Sequence, residues 1–353
     1  MGPSDPGISR EELQLATRNH GMPLEVLAEP ITPVGLHYLL IHYDIPRVDP
    51  GEWRLEVDGL VERPLSLGLD DLRSRPAVTV AVTMECAGNG RALLAPRPLS
   101  QPWLIEAVGT AEWTGVPLRD LLGEAGLDEA AMEILFTGID RGREGGIDQH
   151  YQRSLPREEA IERGLLAYEM NGAPLLPQHG FPLRLVVPGW YGMTNVKWLR
   201  AITALAEPFD GYQQTHAYRL HSSDDDPGEP VTRMMPRALM APPGVPDFMT
   251  RERFVEAGSC RIEGRAWSGW GPIDSVEVST DGGLTWAAAE VGDAVGESAW
   301  CSWSYLWEAP EPGVHELCCR ATDSAGNAQP TDTRWSTKGY ANNEVQRVRV
   351  TVR

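Results

Sequence analysis

The residue that could do the most unusual chemistry is a lone cysteine in a glycine-rich turn, within Val80–Arg91, VAVTMECAGNGR. Alternation from Val78 to Val82 predicts a buried strand that ends at Met84-Glu85 and delivers Cys86 into a turn of Ala87, Gly88, Asn89 and Gly90. Two glycines around an asparagine permit backbone conformations and close approaches that larger residues resist. A thiolate is a soft ligand suited to a transition metal, and the Arg91 guanidinium nearby favours the ionised form. The same pattern also fits a buried structural cysteine, because free cysteine is commonly buried. Arg18, Asn19 and His20 crowd together in TRNHGMP. By themselves they read as an ordinary helix end, with cations near the carbonyl terminus and Gly21 as the stop.

The elements that must position these groups follow from local signals. Ser9 with Glu12 is a capping-box pattern opening a short helix, Arg10–Thr17. Trp53–Leu60 alternates as a strand, Leu69–Arg73 is a short helical piece, and Pro96–Pro117, rich in Pro, Trp and Gly, reads as loop packed on the core. Leu118–Ala125 reads as a helix ended by Gly126, and Ala131–Thr137 as a strand leading to Gly138, Ile139 and Asp140. A polar loop, Arg141–Gln152, and a helix, Arg157–Arg163, precede a series of short mixed signals, so the expectation is an α+β domain with a mixed sheet. Pro208–Asp247 reads as mostly irregular, its acidic run Asp224–Asp226 a solvated loop. Beyond Arg253, short alternating strands at Arg261–Trp267, Ser275–Ser279, Ala299–Trp307, Gly313–Ala321 and Val345–Val352 suggest an all-β sandwich of the immunoglobulin type. The expected domains are therefore 1–247, catalytic, and 248–353, a structural or association module.

Composition sets the outer bounds. A chain of 353 residues suggests two domains. No apolar run approaches the ~20 residues of a membrane span. No basic-then-apolar leader is visible at the N-terminus, which predicts a cytoplasmic protein, or a periplasmic one if the N-terminus has been processed. Five cysteines give no obvious disulfide framework. With 31 Lys and Arg against 50 Asp and Glu, the net charge of −19 argues against nucleic acid and anionic membranes as partners. It also means that an anionic substrate would need a local cluster of cations.

TMECAGNGR, then GFPLRLVVPGWYG, then NVKWL, together resemble the sulfite oxidase family of molybdenum enzymes, and the resemblance runs from TRNH to the C-terminal strands. It implies one molybdenum–molybdopterin per chain, with Cys86 as the thiolate ligand of the metal. Asn19, His20, Asp140, His179, Arg184, Asn195, Val196 and Lys197 match residues that hold the cofactor and its phosphate. Arg18, Arg91, Trp103 and Tyr218 match the substrate pocket. VEVSTDGGLTW resembles the family's immunoglobulin-like dimerisation domain, so a homodimer is expected. No haem or flavin domain is visible on the chain, which implies a separate electron acceptor such as a cytochrome c.

The departures from the family pattern are Gly90, where animal enzymes carry another arginine, and Asn195 in place of a serine. The implied reaction is oxidation of a small oxyanion, sulfite, to sulfate. The alternatives are a molybdopterin-dependent reductase of nitrate or of an S- or N-oxide, and a non-enzymatic immunoglobulin-like binding protein. A pairing of Arg18 with Tyr218 favours sulfite, and of the two Arg18 is expected to matter more.

Overall fold

The strand that carries Cys86 runs from Val78 to Glu85, exposed at its start and buried from Val82 onward. It belongs to a computed structural model that describes residues 7–223, 225–309, 311–332 and 334–353. Asp224 of the acidic run and the first six residues of the N-terminal arm lie outside the described residues. Val78–Glu85 pairs antiparallel along its length with Val108–Pro117, which pairs in turn with Leu165–Met170. Arg184–Val186 lies on the far edge of this sheet.

A second sheet runs in the order Leu65–Leu67, Leu55–Gly59, Leu199–Leu205, Glu133–Glu144, Ile147–Pro156. Leu55–Gly59 and Leu199–Leu205 are parallel and the other pairs antiparallel, so the sheet is mixed, as expected. One apolar cluster, including Leu55, Phe136 and Ile202 from this sheet and Leu166 and Leu185 from the first, fixes the two sheets against each other. Burial of such side chains, at roughly 1.5–3 kcal/mol each, is what holds the sites at the strand ends in place.

The helices form where local signals put them: Arg10–Arg18 with both bonds of the Ser9–Glu12 capping box, Leu69–Arg73, Leu118–Ala125 ending at left-handed Gly126, and Arg157–Arg163. They are few, and far more of the described chain is strand than helix. Two expected loops are not loops. Val108–Pro117 is a central strand, because pairing on both sides outweighs its glycines and tryptophan; at Gly115 a Cβ would lie 2.1 Å from the Leu166 carbonyl of the neighbouring strand. The expected loop Arg141–Gln152 is a hairpin of the long strands Glu133–Glu144 and Ile147–Pro156, turning at Gly145-Gly146. Its polarity reflects solvent on both faces of a projecting ribbon.

The C-terminal part consists of two sheets facing each other across one apolar core that includes Ile262, Trp303, Leu317, Cys319 and Val350. The strands begin before Arg253: Arg237–Met240 pairs with Gly258–Trp267. A further apolar cluster joins the two parts, bringing Met22, Ala87, Tyr191 and Tyr218 against Leu239, Trp267 and Trp300. All five cysteines are free thiols.

Candidate active site

Cys86 enters its turn with its N–H bonded to the Ala107 carbonyl at 2.9 Å, and its own carbonyl accepts from Asn89 N–H at 3.0 Å. The turn closes so tightly that a Cβ at Gly88 would lie 2.6 Å from the Arg91 guanidinium. Gly90 sits at φ +87°, a left-handed conformation that favours glycine. Burial pushes the thiol pKa up, and the neighbouring Arg91 charge opposes that rise.

The thiol opens onto two clefts. The first, of about 630 Å³, is lined by His37, Asp140, His179, Arg184, Asn195 and Lys197 among others. Arg184 is buried, donating to the carbonyls of His179 at 3.1 Å and Asn195 at 3.3 Å, with its guanidinium 4.6 Å from the Trp113 ring centre. Lys197 Nζ donates to the Leu40 carbonyl at 2.7 Å and to that of Gln178 at 3.2 Å. Burial, aided by the Arg184 charge, lowers its pKa to about 7. Burial raises Asp140 to about 7 against the pull of Lys197. His37 and His179 are held neutral by burial, at about 4 and about 3.

Three buried polar atoms of these lining residues have no hydrogen-bond partner among the described residues: His37 Nε2, Asp140 Oδ1 and Arg184 Nε. Unpartnered buried polar groups are costly, at about 1–3 kcal/mol each, so their occurrence on residues that line one cleft marks a demand for donors and acceptors there. A flat, hydrogen-bonding heterocycle with a phosphate fits that demand, and the thiol at the cleft's end fits a soft metal. These residues therefore fit a molybdopterin carrying molybdenum.

The second cleft holds Cys86, Arg91, Gln101, Trp103, Arg143, Tyr218 and Tyr340. Arg91 donates to the Lys338 carbonyl at 2.7 Å and the Gln101 carbonyl at 3.3 Å, its guanidinium 5.1 Å from the Tyr340 ring centre. Trp103 Nε1 is buried beside the Cys86 thiol, whose ionised form it favours. Tyr218 stands at φ +47°, a strained conformation for a tyrosine, and its hydroxyl is 2.5 Å from His42 Nε2. Buried Arg153 lies behind it, 5.6 Å from the ring centre. Arg91 with the Trp103 and Tyr218 donors beside the thiol can hold a small oxyanion.

Of the residues singled out in the sequence, Cys86, Asp140, His179, Arg184, Asn195 and Lys197 meet at the first cleft, and Arg91, Trp103 and Tyr218 join Cys86 at the second. Val196 is a core residue, its carbonyl accepting from Leu185 N–H at 2.8 Å. The TRNH residues line neither cleft. Arg18 lines neither cleft, because its exposed guanidinium is engaged by the Tyr43 carbonyl and Asp44. His20 is exposed. Asn19 is buried but braces the chain, bonding Gln101 at 3.0 Å and Ile41 N–H at 2.7 Å. The partner of Tyr218 is His42, and His42 lines both clefts. Sequence reasoning missed His42, His37, Arg143 and Tyr340. Arg143 was hidden in the misread hairpin, and His42 lies in IHYDIP, which carries no local signature.

Comparison with known proteins points to the same kind of cofactor. Residues 42–213 match the oxidoreductase molybdopterin binding domain, and residues 248–353 the Mo-co oxidoreductase dimerisation domain. The first match begins at His42, beyond TRNH. Sulfite oxidase of Gallus gallus is 38% identical over 90% of this chain and 72% of its own length. Mitochondrial sulfite oxidase of Homo sapiens is 37% identical over 94% of the chain, which spans only 63% of that protein. A nitrate reductase [NADH] of Oryza sativa is 32% identical over 91% of the chain and 38% of its own length. The sulfane dehydrogenase SoxCD of Paracoccus pantotrophus superposes with a TM-score of 0.81 at 29% identity, covering 93% of this chain and 82% of that one.

Proposed function

We propose, from the premise that this chain belongs to the sulfite oxidase family of molybdopterin-dependent oxidoreductases, that it oxidises sulfite to sulfate and passes two electrons to a separate acceptor such as a cytochrome c. The observation that carries the reading is that one thiol, Cys86, opens at once onto a cationic cleft with unpartnered polar atoms and onto a small cleft with Arg91, Trp103 and Tyr218. Arg184, Lys197, Asp140, His179 and Asn195 would hold the pterin and its phosphate, and Cys86 the molybdenum.

When bound, that group supplies the oxygen atom transferred to sulfur and accepts the electron pair. The protein supplies charge, orientation and access. Arg91 offers charge-assisted hydrogen bonds to the sulfite oxygens, countering locally the net charge of −19. Tyr218 donates one neutral bond, with His42 fixing the direction of its hydroxyl. His42 is held neutral by burial, at about 3; in its Nε2–H tautomer it donates to the Tyr218 oxygen and leaves the phenol O–H free for sulfite. The Trp103 N–H is a third donor.

Greater identity to the sulfite oxidases than to the nitrate reductases, and a structural likeness to an enzyme of sulfane sulfur, support a sulfur substrate. We read the C-terminal part as an immunoglobulin-type module that joins two copies of the chain. The decisive variant is Cys86→Ser, which replaces a soft thiolate by a hard, poorly ionised hydroxyl. It should fold, retain pterin through the phosphate contacts, and lose nearly all sulfite turnover. Wild-type turnover in that protein would sink the assignment.

A further inference from the structure

The turn that carries Cys86 is held largely from the C-terminal part of the chain. The Ala87 carbonyl accepts from Ala341 N–H at 2.8 Å, and the Gly90 carbonyl from Asn342 Nδ2 at 2.8 Å. The residue before the thiol, Glu85, is a hub. Its carboxylate accepts from Asn89 of the same turn at 2.9 Å, from Arg237 at 2.6 Å and from Trp267 Nε1 at 3.0 Å. Arg237 reaches on to the Asn342 carbonyl at 2.6 Å, closing a ring of contacts around the turn.

The Glu85–Arg237 pair is shut away from water, at 2% and 0% exposure. A buried ion pair is seldom an efficient source of stability, whereas it fixes geometry strictly, because either partner left alone is an uncompensated charge. Arg237 lines neither cleft, so it does not touch substrate or cofactor.

We propose that Arg237 is a positioning residue for Cys86: from the C-terminal part it locks Glu85 and Asn342, and through them the orientation of the thiolate toward the metal. The inference rests on Cys86 being the metal ligand. It gives the C-terminal part a second duty, because the module that associates two chains also sets the metal-binding turn.

The test compares wild type, Arg237→Lys and the double variant Glu85→Gln/Arg237→Met in the full chain. The double variant leaves no unpaired buried charge and should melt within a few degrees of wild type, so it carries the test even if Arg237→Lys alone misfolds. Amide hydrogen exchange of the Cys86–Arg91 peptide should nonetheless rise about tenfold, as local opening is released from the global one. The Mo(V) electron paramagnetic resonance lines of the loaded enzyme should shift or broaden, a signature that mere loss of packing energy elsewhere would not produce. Arg237→Lys, which keeps the charge but not the planar fork, should move both readouts in the same direction by less. Wild-type exchange and spectra in the double variant would overturn the proposal. Cys86→Ser, measured alongside, separates the two levels. If it loses the signal while the Arg237 variants do not, only the positioning role fails. If it too keeps the wild-type spectrum, Cys86 is not the ligand.

Discussion

Tyr218→Phe removes one hydroxyl from the second cleft and leaves the ring between Arg153 and Tyr340 in place. In the resting protein that hydroxyl bonds His42 at 2.5 Å, deep in the junction of the two clefts. A hydrogen bond from it to a charged oxyanion is worth roughly 1.5–3 kcal/mol. Each ~1.4 kcal/mol corresponds to about tenfold in rate, so kcat/KM for sulfite should fall about 10- to 100-fold. The assay is steady-state sulfite oxidation with an artificial acceptor, so that docking of a protein partner plays no part. Two controls bracket the result. Tyr212→Phe alters a tyrosine of the same segment whose ring stacks on His216, and it should be nearly neutral. Arg18→Gln should also stay within about twofold, because an exposed arginine paired to Asp44 contributes little. That reverses the order expected from the sequence, in which Arg18 outranks Tyr218. Should Tyr218→Phe behave like Tyr212→Phe, the oxyanion is not held at this spot; should Arg18→Gln cost tenfold or more, the placement of the TRNH group is wrong.

Other consequences follow from charge and assembly. In the cofactor-free protein Lys197 loses its proton above about pH 7 and Asp140 gains its charge over the same range, so both changes disfavour an anion. A phosphate monoester, dianionic above about pH 6, should bind to the first cleft progressively more weakly from pH 7 to 9, by up to about tenfold per unit for each of the two groups. Calorimetry would check this; pH-independent binding, or an unchanged slope in Lys197→Met, refutes the role given to the lysine. The C-terminal module should make the chain a two-fold dimer at micromolar concentration, and a monomer in sedimentation would contradict that. With 19 excess negative charges, reduction of a basic cytochrome should slow as ionic strength rises to physiological values. Salt-independent rates at limiting cytochrome would exclude an acceptor of that kind.

What the sequence determined by itself was local or strongly ordered along the chain. The capping box at Ser9, the stop at Gly126 and the strand into Cys86 depend on neighbours a few residues away, and all three formed. The lining of the first cleft was legible for a similar reason: His179, Arg184, Asn195 and Lys197 lie within one short stretch of strand and turn, so their order alone brings them together. The substrate side was less legible. Arg18-Asn19-His20 has the right residue types, but whether they face a cleft depends on a packed segment whose path no local pattern encodes. Asn19 braces that segment, and His42, well along the chain, is what arrives at the thiol.

The expected loops failed on the same ground. Val108–Pro117 becomes a strand only because partners stand on both sides, and the polar hairpin Glu133–Pro156 only because its outer half projects into solvent. Tertiary structure alone decided the contribution of the C-terminal part. Tyr340, Asn342 and Arg237 reach the Cys86 turn across more than a hundred residues of chain, and their contacts to it form only when the two parts are packed together. Buried hydrogen bonds and ion pairs of this kind depend on distance in space, and sequence separation carries no trace of them.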